Sequence, residues 1–167
     1  HAYHRRQRQM CIRDSYTTYP GDANSSNDSL TVSVTNVGLC TPEADCSYGD
    51  GMTSFEFADI SNLDSGCSEL GYGDYTDLTT DLLQGETYDM TFSSGYGTQV
   101  FRVWIDYNDD FVFSLDELIV DNPVLANGEG PGDYSGTLPV EIPSDASLGQ
   151  HMMRVKSNYG ALVPDDA

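Results

Sequence analysis

The chain is poor in positive charge. Seven of its 167 residues are Lys or Arg against 27 Asp and Glu, so the formal net charge is −20. Four of those cations, Arg5, Arg6, Arg8 and Arg13, sit in the first fourteen residues, which leaves Arg102, Arg154 and Lys156 for all the rest. A field of this sign repels phosphate backbones and anionic lipid and attracts divalent cations. Nucleic acid is therefore not an expected partner. Long apolar runs are missing too: nothing approaches the ~18 residues of a membrane helix, so membrane insertion is not expected. Nor does any segment sustain a helical period over about twelve residues. Histidine is scarce, and of His1, His4 and His151 only the last lies outside the basic leader. That excludes a zinc-protease helix with two His four residues apart, and no Ser stands in a Gly-x-Ser-x-Gly elbow. Carboxylate pairs such as Asp74 with Asp77 exist, but among so many acids a chance pair is expected and carries no glycosidase signal. The chain reads as a non-enzyme.

Cysteine is sparse but concentrated. Of Cys11, Cys40, Cys46 and Cys67, the last three lie close together among Gly, Ser, Asp and Tyr. They lack the C-x-x-C spacing and His partners that zinc favours, so a disulfide is expected. The pairing stays open between Cys40 with Cys46 and Cys46 with Cys67. A disulfide favours an oxidising location: secreted, extracellular or on the cell surface.

What is present is a series of short alternating segments. Leu30–Thr35, Phe55 with Phe57, Tyr88–Phe92, Val100–Tyr107, Leu118–Val120, Leu138–Ile142 and Met152–Lys156 each suit a strand, and turn formers separate them. Ser93–Gly97 reads as a turn, Pro123–Gly136 as a Gly-rich connection, and Pro139 suits an edge strand. About seven such strands argue an all-β fold, an antiparallel β-sandwich or jelly-roll-like domain. In Val100–Tyr107, Phe101, Val103 and Ile105 share one face and Arg102, Trp104 and Asp106 the other. Residues 1–14 are basic and aperiodic and resemble translated sequencing adapter, so they are expected to be an artefactual or disordered leader outside the fold. Residues 15–38 read as a linker or the last strand of a preceding unit, and 39–167 as the domain.

Chemically specific residues gather after Trp104. With Asp106 as position 1, Asn108 falls at 3, Asp110 at 5, Val112 at 7, Ser114 at 9 and Glu117 at 12, the ligand positions of an EF-hand-type calcium loop. Five offer side-chain oxygens and Val112 its carbonyl, which suits a hard cation wanting six to eight oxygens. Flanking strands exclude a helix-loop-helix sensor, so structural Ca2+ of modest, millimolar-class affinity is expected. Phe111 stands at position 6, where Gly usually turns the chain through positive φ. A bulky residue forced there costs about 1–2 kcal/mol, so the loop is expected to be distorted.

Several of these stretches resemble the GEVED domain, a β-sandwich module of secreted bacterial proteins, chiefly of Bacteroidota. The resemblance covers residues 39–164. It rests on Cys40 and Cys46, Asn62 with Ser65-Gly66-Cys67 and Tyr72-Gly73-Asp74-Tyr75-Thr76, and Leu83-Gln84-Gly85-Glu86-Thr87-Tyr88. To these it adds Val103-Trp104-Ile105-Asp106-Tyr107-Asn108-Asp109-Asp110, and Ile142-Pro143-Ser144-Asp145-Ala146 with Met153-Arg154-Val155. It implies an accessory module that accompanies other domains of an adhesin- or peptidase-type parent. The family's acidic signature strand is not in the sequence, so the domain is expected to be C-terminally incomplete. Two further readings stay open. Tyr72, Tyr75 and Trp104 are candidate stacking aromatics for a carbohydrate-binding module, with a polysaccharide or surface protein as partner, and open edge strands would suit a subunit of an extracellular fibre.

Overall fold

The alternating segments pair into antiparallel ladders, and nine strands form among the described residues. The computed structural model describes residues 10–16, 29–35, 46, 48–63, 65–68 and 71–163. Two units separate at Gly38/Leu39. In the first, β1 (Met10–Tyr16) pairs antiparallel with β2 (Ser29–Thr35) along seven residues. Residues 10–14, which the sequence places in the leader, lie in β1. A ladder needs backbone N–H and C=O groups, which every residue but proline supplies, and an aperiodic side-chain pattern does not report them.

The second unit is all-β, with two antiparallel sheets facing each other. One runs β4 (Ile60–Asn62), β3 (Met52–Phe57), β5 (Thr87–Tyr96), β8 (Pro131–Glu141); the other runs β7 (Leu118–Leu125), β6 (Gln99–Asp106), β9 (Met152–Tyr159). Strand β5 runs through Ser93 and Ser94 to Tyr96, so the turn expected there narrows to Gly97 and Thr98. A Cβ on Gly97 would stand 2.6 Å from the Glu129 carbonyl oxygen, so only glycine fits this corner between the sheets. The connection expected over Pro123–Gly136 is likewise mostly strand: β7 continues to Leu125 and β8 begins at Pro131. Pro139 sits on β8, an edge of its sheet, where a missing N–H breaks no ladder.

The core lies between the sheets. Phe55 and Phe57 of β3, Met90 and Phe92 of β5 and Val140 of β8 meet Phe101, Val103 and Ile105 of β6 and Val120 of β7. The rings of Phe92 and Phe101 stack with centroids 4.6 Å apart. Strand β6 is buried at all eight positions. Its second face, Val100 and Trp104, packs under Phe113 and Val163.

Cys46 and Cys67 are disulfide-bonded, Cα atoms 5.7 Å apart, one of the two pairings the sequence leaves open; Cys40 lies outside the described residues. The bond ties the approach to β3 to the coil that follows β4, where few apolar side chains hold the chain down. Closing a loop of 21 residues' separation restricts the unfolded chain and stabilises by about 2–4 kcal/mol. Replacing both cysteines with serine is expected to lower the unfolding free energy in urea by that amount; a loss under about 0.5 kcal/mol contradicts this role.

Candidate metal loop

Strand β6 delivers Asp106 to the loop almost fully buried, at 1% exposure. Asp106 Oδ1 accepts the Asp110 N–H (3.2 Å) and Oδ2 the Phe111 N–H (2.9 Å). Asn108 Oδ1 accepts the Asp110 N–H at 2.9 Å, and Asp110 Oδ1 the Val112 N–H at 2.8 Å. These short-range bonds are the turn chemistry for which Asp and Asn are suited. The chain reverses through positive φ at Asp109 (56°) and Phe111 (62°). Phe111 therefore takes the backbone conformation that glycine normally supplies, the strained one expected for a bulky residue at position 6. Its N–H bond to the buried Asp106 carboxylate offsets part of the steric cost.

The far end of the loop is closed by a 3-10 turn, Leu115–Glu117, preceded by Ser114. Glu117 is 4% exposed. Its Oε2 accepts both the N–H and the hydroxyl of Ser114 at 3.0 Å, and its Oε1 accepts the Asn108 N–H at 3.4 Å. Positions 3, 9 and 12 thus meet across the loop, while Asp110 and Val112 remain exposed. Among the described residues no three carboxylate, imidazole or thiol groups form a ready metal cage. The donor set is a mixture: three carboxylates, one amide oxygen, one hydroxyl and the Val112 carbonyl. All are hard oxygens, and a carboxylate has about four lone-pair sites, so the N–H bonds do not exhaust Asp106 or Asp110. The chemistry of the set fits a hard cation such as calcium.

Two residues that the loop spacing does not mark hold it in place. Phe113, at position 8, is buried against Trp104, and the Arg154 guanidinium lies 4.2 Å over its ring. An apolar residue amid the acids was the available signal. His151, just before β9, has Nδ1 3.1 Å from Asp109 Oδ1 and Nε2 3.0 Å from the Ser147 carbonyl oxygen. Its ring packs edge-on against Tyr107, whose phenol is pushed up by burial. No local pattern could have found His151, because its partner Asp109 is 42 residues away.

The stacking aromatics divide. Trp104 is fully buried, which corrects its proposed role as a sugar platform: Phe113 and Val163 cover its outer face. Tyr72 and Tyr75 lie on the coil between β4 and β5, Tyr72 half-buried and Tyr75 exposed. The hydroxyls of Tyr75 and Ser68 are 3.3 Å apart. Nearby, the Asp74 carboxyl is held below the usual range by the N–H and hydroxyl of Thr76.

Both ring nitrogens of His151 face acceptors, so the protonated ring satisfies both and the neutral ring only one. Burial pushes its pKa down, but the hydrogen bonds to Asp109 and Ser147 and the Asp109 charge outweigh that and leave it raised. A raised folded-state value means stability that is complete below the unfolded pKa, about 6.5, and lost as pH rises through the folded value. The stability difference between the parent chain and His151→Gln is expected to be larger at pH 6 than at pH 9 by urea unfolding. A difference that is flat or grows with pH contradicts the assignment.

No curated protein and no solved structure matches the chain. Among family comparisons, residues 100–166, which carry β6, the metal loop, β7, β8 and β9, match the GEVED domain.

Proposed function

We propose that this chain is a calcium-stabilised, non-catalytic accessory module of a secreted or cell-surface multidomain bacterial protein, working beside domains that carry adhesion or peptidase activity. The family match supports the accessory role, and the Cys46–Cys67 bond supports an oxidising location. The observation that carries the calcium reading is the twelve-position loop, which keeps its turn although Phe111 must adopt φ 62° to do so. Asp106, Asn108, Asp110, Ser114, Glu117 and the Val112 carbonyl would hold the ion. Calcium would supply positive charge where three carboxylates crowd. Asp106 and Glu117 are buried at the two ends of this loop, so each ionised group there is costly until it is compensated. Neutralising them locks the end of β6 to the start of β7.

Flanking strands in place of helices leave nothing to swing open on binding, so the ion's role is structural. Affinity in the range of extracellular modules, about 10⁻⁴–10⁻³ M, suits a site that is filled once the protein has left the cell.

Calcium at tenfold its Kd should stabilise by about 1.4 kcal/mol. For a domain of this size that is a rise in Tm of about 4–8 °C. Magnesium, which sheds water reluctantly, should give much less, and Asp110→Asn should remove most of the calcium effect. Equal shifts from both ions, unchanged by Asp110→Asn, would mean simple screening of the net charge and would overturn the proposal.

A further inference from the structure

One dipeptide in the turn between β7 and β8 is chemically labile. An asparagine side chain is open to attack by the backbone nitrogen of the residue that follows it, and a side chain on that residue hinders the approach. Asn62, Asn108 and Asn158 precede Leu63, Asp109 and Tyr159, and Asn122 precedes Pro123, which has no N–H to give up. Two of these are also engaged: Asn108 Oδ1 accepts the Asp110 N–H at 2.9 Å, and Asn158 Nδ2 donates to the Leu162 carbonyl oxygen at 3.3 Å. Asn127 alone among the described asparagines precedes a glycine, Gly128, and both residues are exposed. Nothing lies within 4 Å of where a Cβ on Gly128 would stand. A ring can close there without meeting a neighbour.

We propose that Asn127 is a site of spontaneous covalent modification, its amide converting through a succinimide to isoaspartate and aspartate, and that the Thr98 hydroxyl restrains this reaction. The Gly128 backbone nitrogen gives up its proton and attacks Asn127 Cγ. A C–N bond forms, the Cγ–Nδ2 bond breaks, and Nδ2 leaves with a proton as ammonia. Water then opens the imide at either carbonyl. One direction gives aspartate; the other gives isoaspartate, whose main chain runs through the side-chain methylene. The attacking nitrogen is held, because the Gly128 N–H donates to Thr98 Oγ1 at 2.9 Å. A hydroxyl is too weak a base to take that proton, so the bond must break before attack. The same turn supports the corner at Gly97 and Thr98, whose N–H groups donate to the Gly130 and Ala126 carbonyl oxygens at 2.9 and 2.8 Å. An extra main-chain carbon in so close a fit disrupts it, so conversion loosens the contact between the two turns. This inference is independent of calcium at the metal loop.

The test is incubation of the folded full chain at pH 6 and at pH 9, with peptide mapping by mass spectrometry that separates isoaspartate from aspartate. Asn127 should convert before Asn62, Asn108 and Asn158, faster at pH 9 because the nitrogen must ionise, and with isoaspartate among the products. Thr98→Ala should convert about threefold faster or more, the effect of losing one hydrogen bond, while Thr98→Ser keeps the parent rate. The parent chain unfolded in urea should also convert faster than the folded one, which reads the restraint without a variant. The converted chain should melt lower than the unconverted one. The proposal fails if Asn127 outlasts the other asparagines, if aspartate is the sole product, or if neither Thr98→Ala nor unfolding raises the rate. An unchanged melting temperature after conversion would overturn the link to the Gly97 corner.

Discussion

Burial of β6 on both faces is the constraint on which the rest of the second unit depends. Phe101, Val103 and Ile105 fill the space between the sheets, and Val100 and Trp104 anchor a second cluster on the outer side. A strand held from both sides cannot slip by one residue without exchanging its faces. Its end is therefore fixed, and Asp106 is presented to the loop in one orientation. Phe113 then folds back onto Trp104, so the same cluster that locks the strand also pins the middle of the loop. The acidic turn is an extension of the core more than an addition to the surface.

Electrostatics pull the other way. With a formal net charge of −20, the chain repels itself wherever carboxylates crowd, and the loop brings Asp106, Asp109, Asp110, Asp116 and Glu117 into twelve residues. Part of the tension is relieved internally, by N–H bonds to Asp106, Asp110 and Glu117 and by His151 on Asp109. The neighbouring hairpin shows another answer, the Arg102 Nε–H donated to Asp121 Oδ1 at 2.8 Å. The hard cation proposed for the loop would be a further one.

Much of this architecture was legible in the sequence, because strand signals are local. Alternation located the strands at Phe55 with Phe57 and from Tyr88 onward, but not β4, and the spacing from Asp106 to Glu117 located the loop. What alternation could not show was where strands end. Ser93 and Ser94 read as turn residues, yet they pair with β3 and β8 because neighbouring strands supply their partners. The second face of β6 was misleading for a related reason. Arg102, Trp104 and Asp106 look like an exposed polar face until Phe113, from the loop itself, and Val163, distant in sequence, cover Trp104. The positive φ of Phe111 was legible from its place at position 6, but its bond to Asp106 depends on folded geometry. The Cys46–Cys67 pairing, the His151 contact and the Gly128 bond to Thr98 are all long-range facts that spacing does not encode.

The central claim is that Asp106–Glu117 is a specific site for calcium and not one patch of a diffusely acidic surface. Amide-resolved NMR during a calcium titration tests it most directly. Saturable shifts below about 10 mM calcium, concentrated at the Asn108, Asp110, Phe111, Val112 and Ser114 amides that already donate to the loop carboxylates, are the predicted result. Small shifts spread over exposed acids such as Asp77, Asp89 and Asp133, rising without saturation, would contradict it.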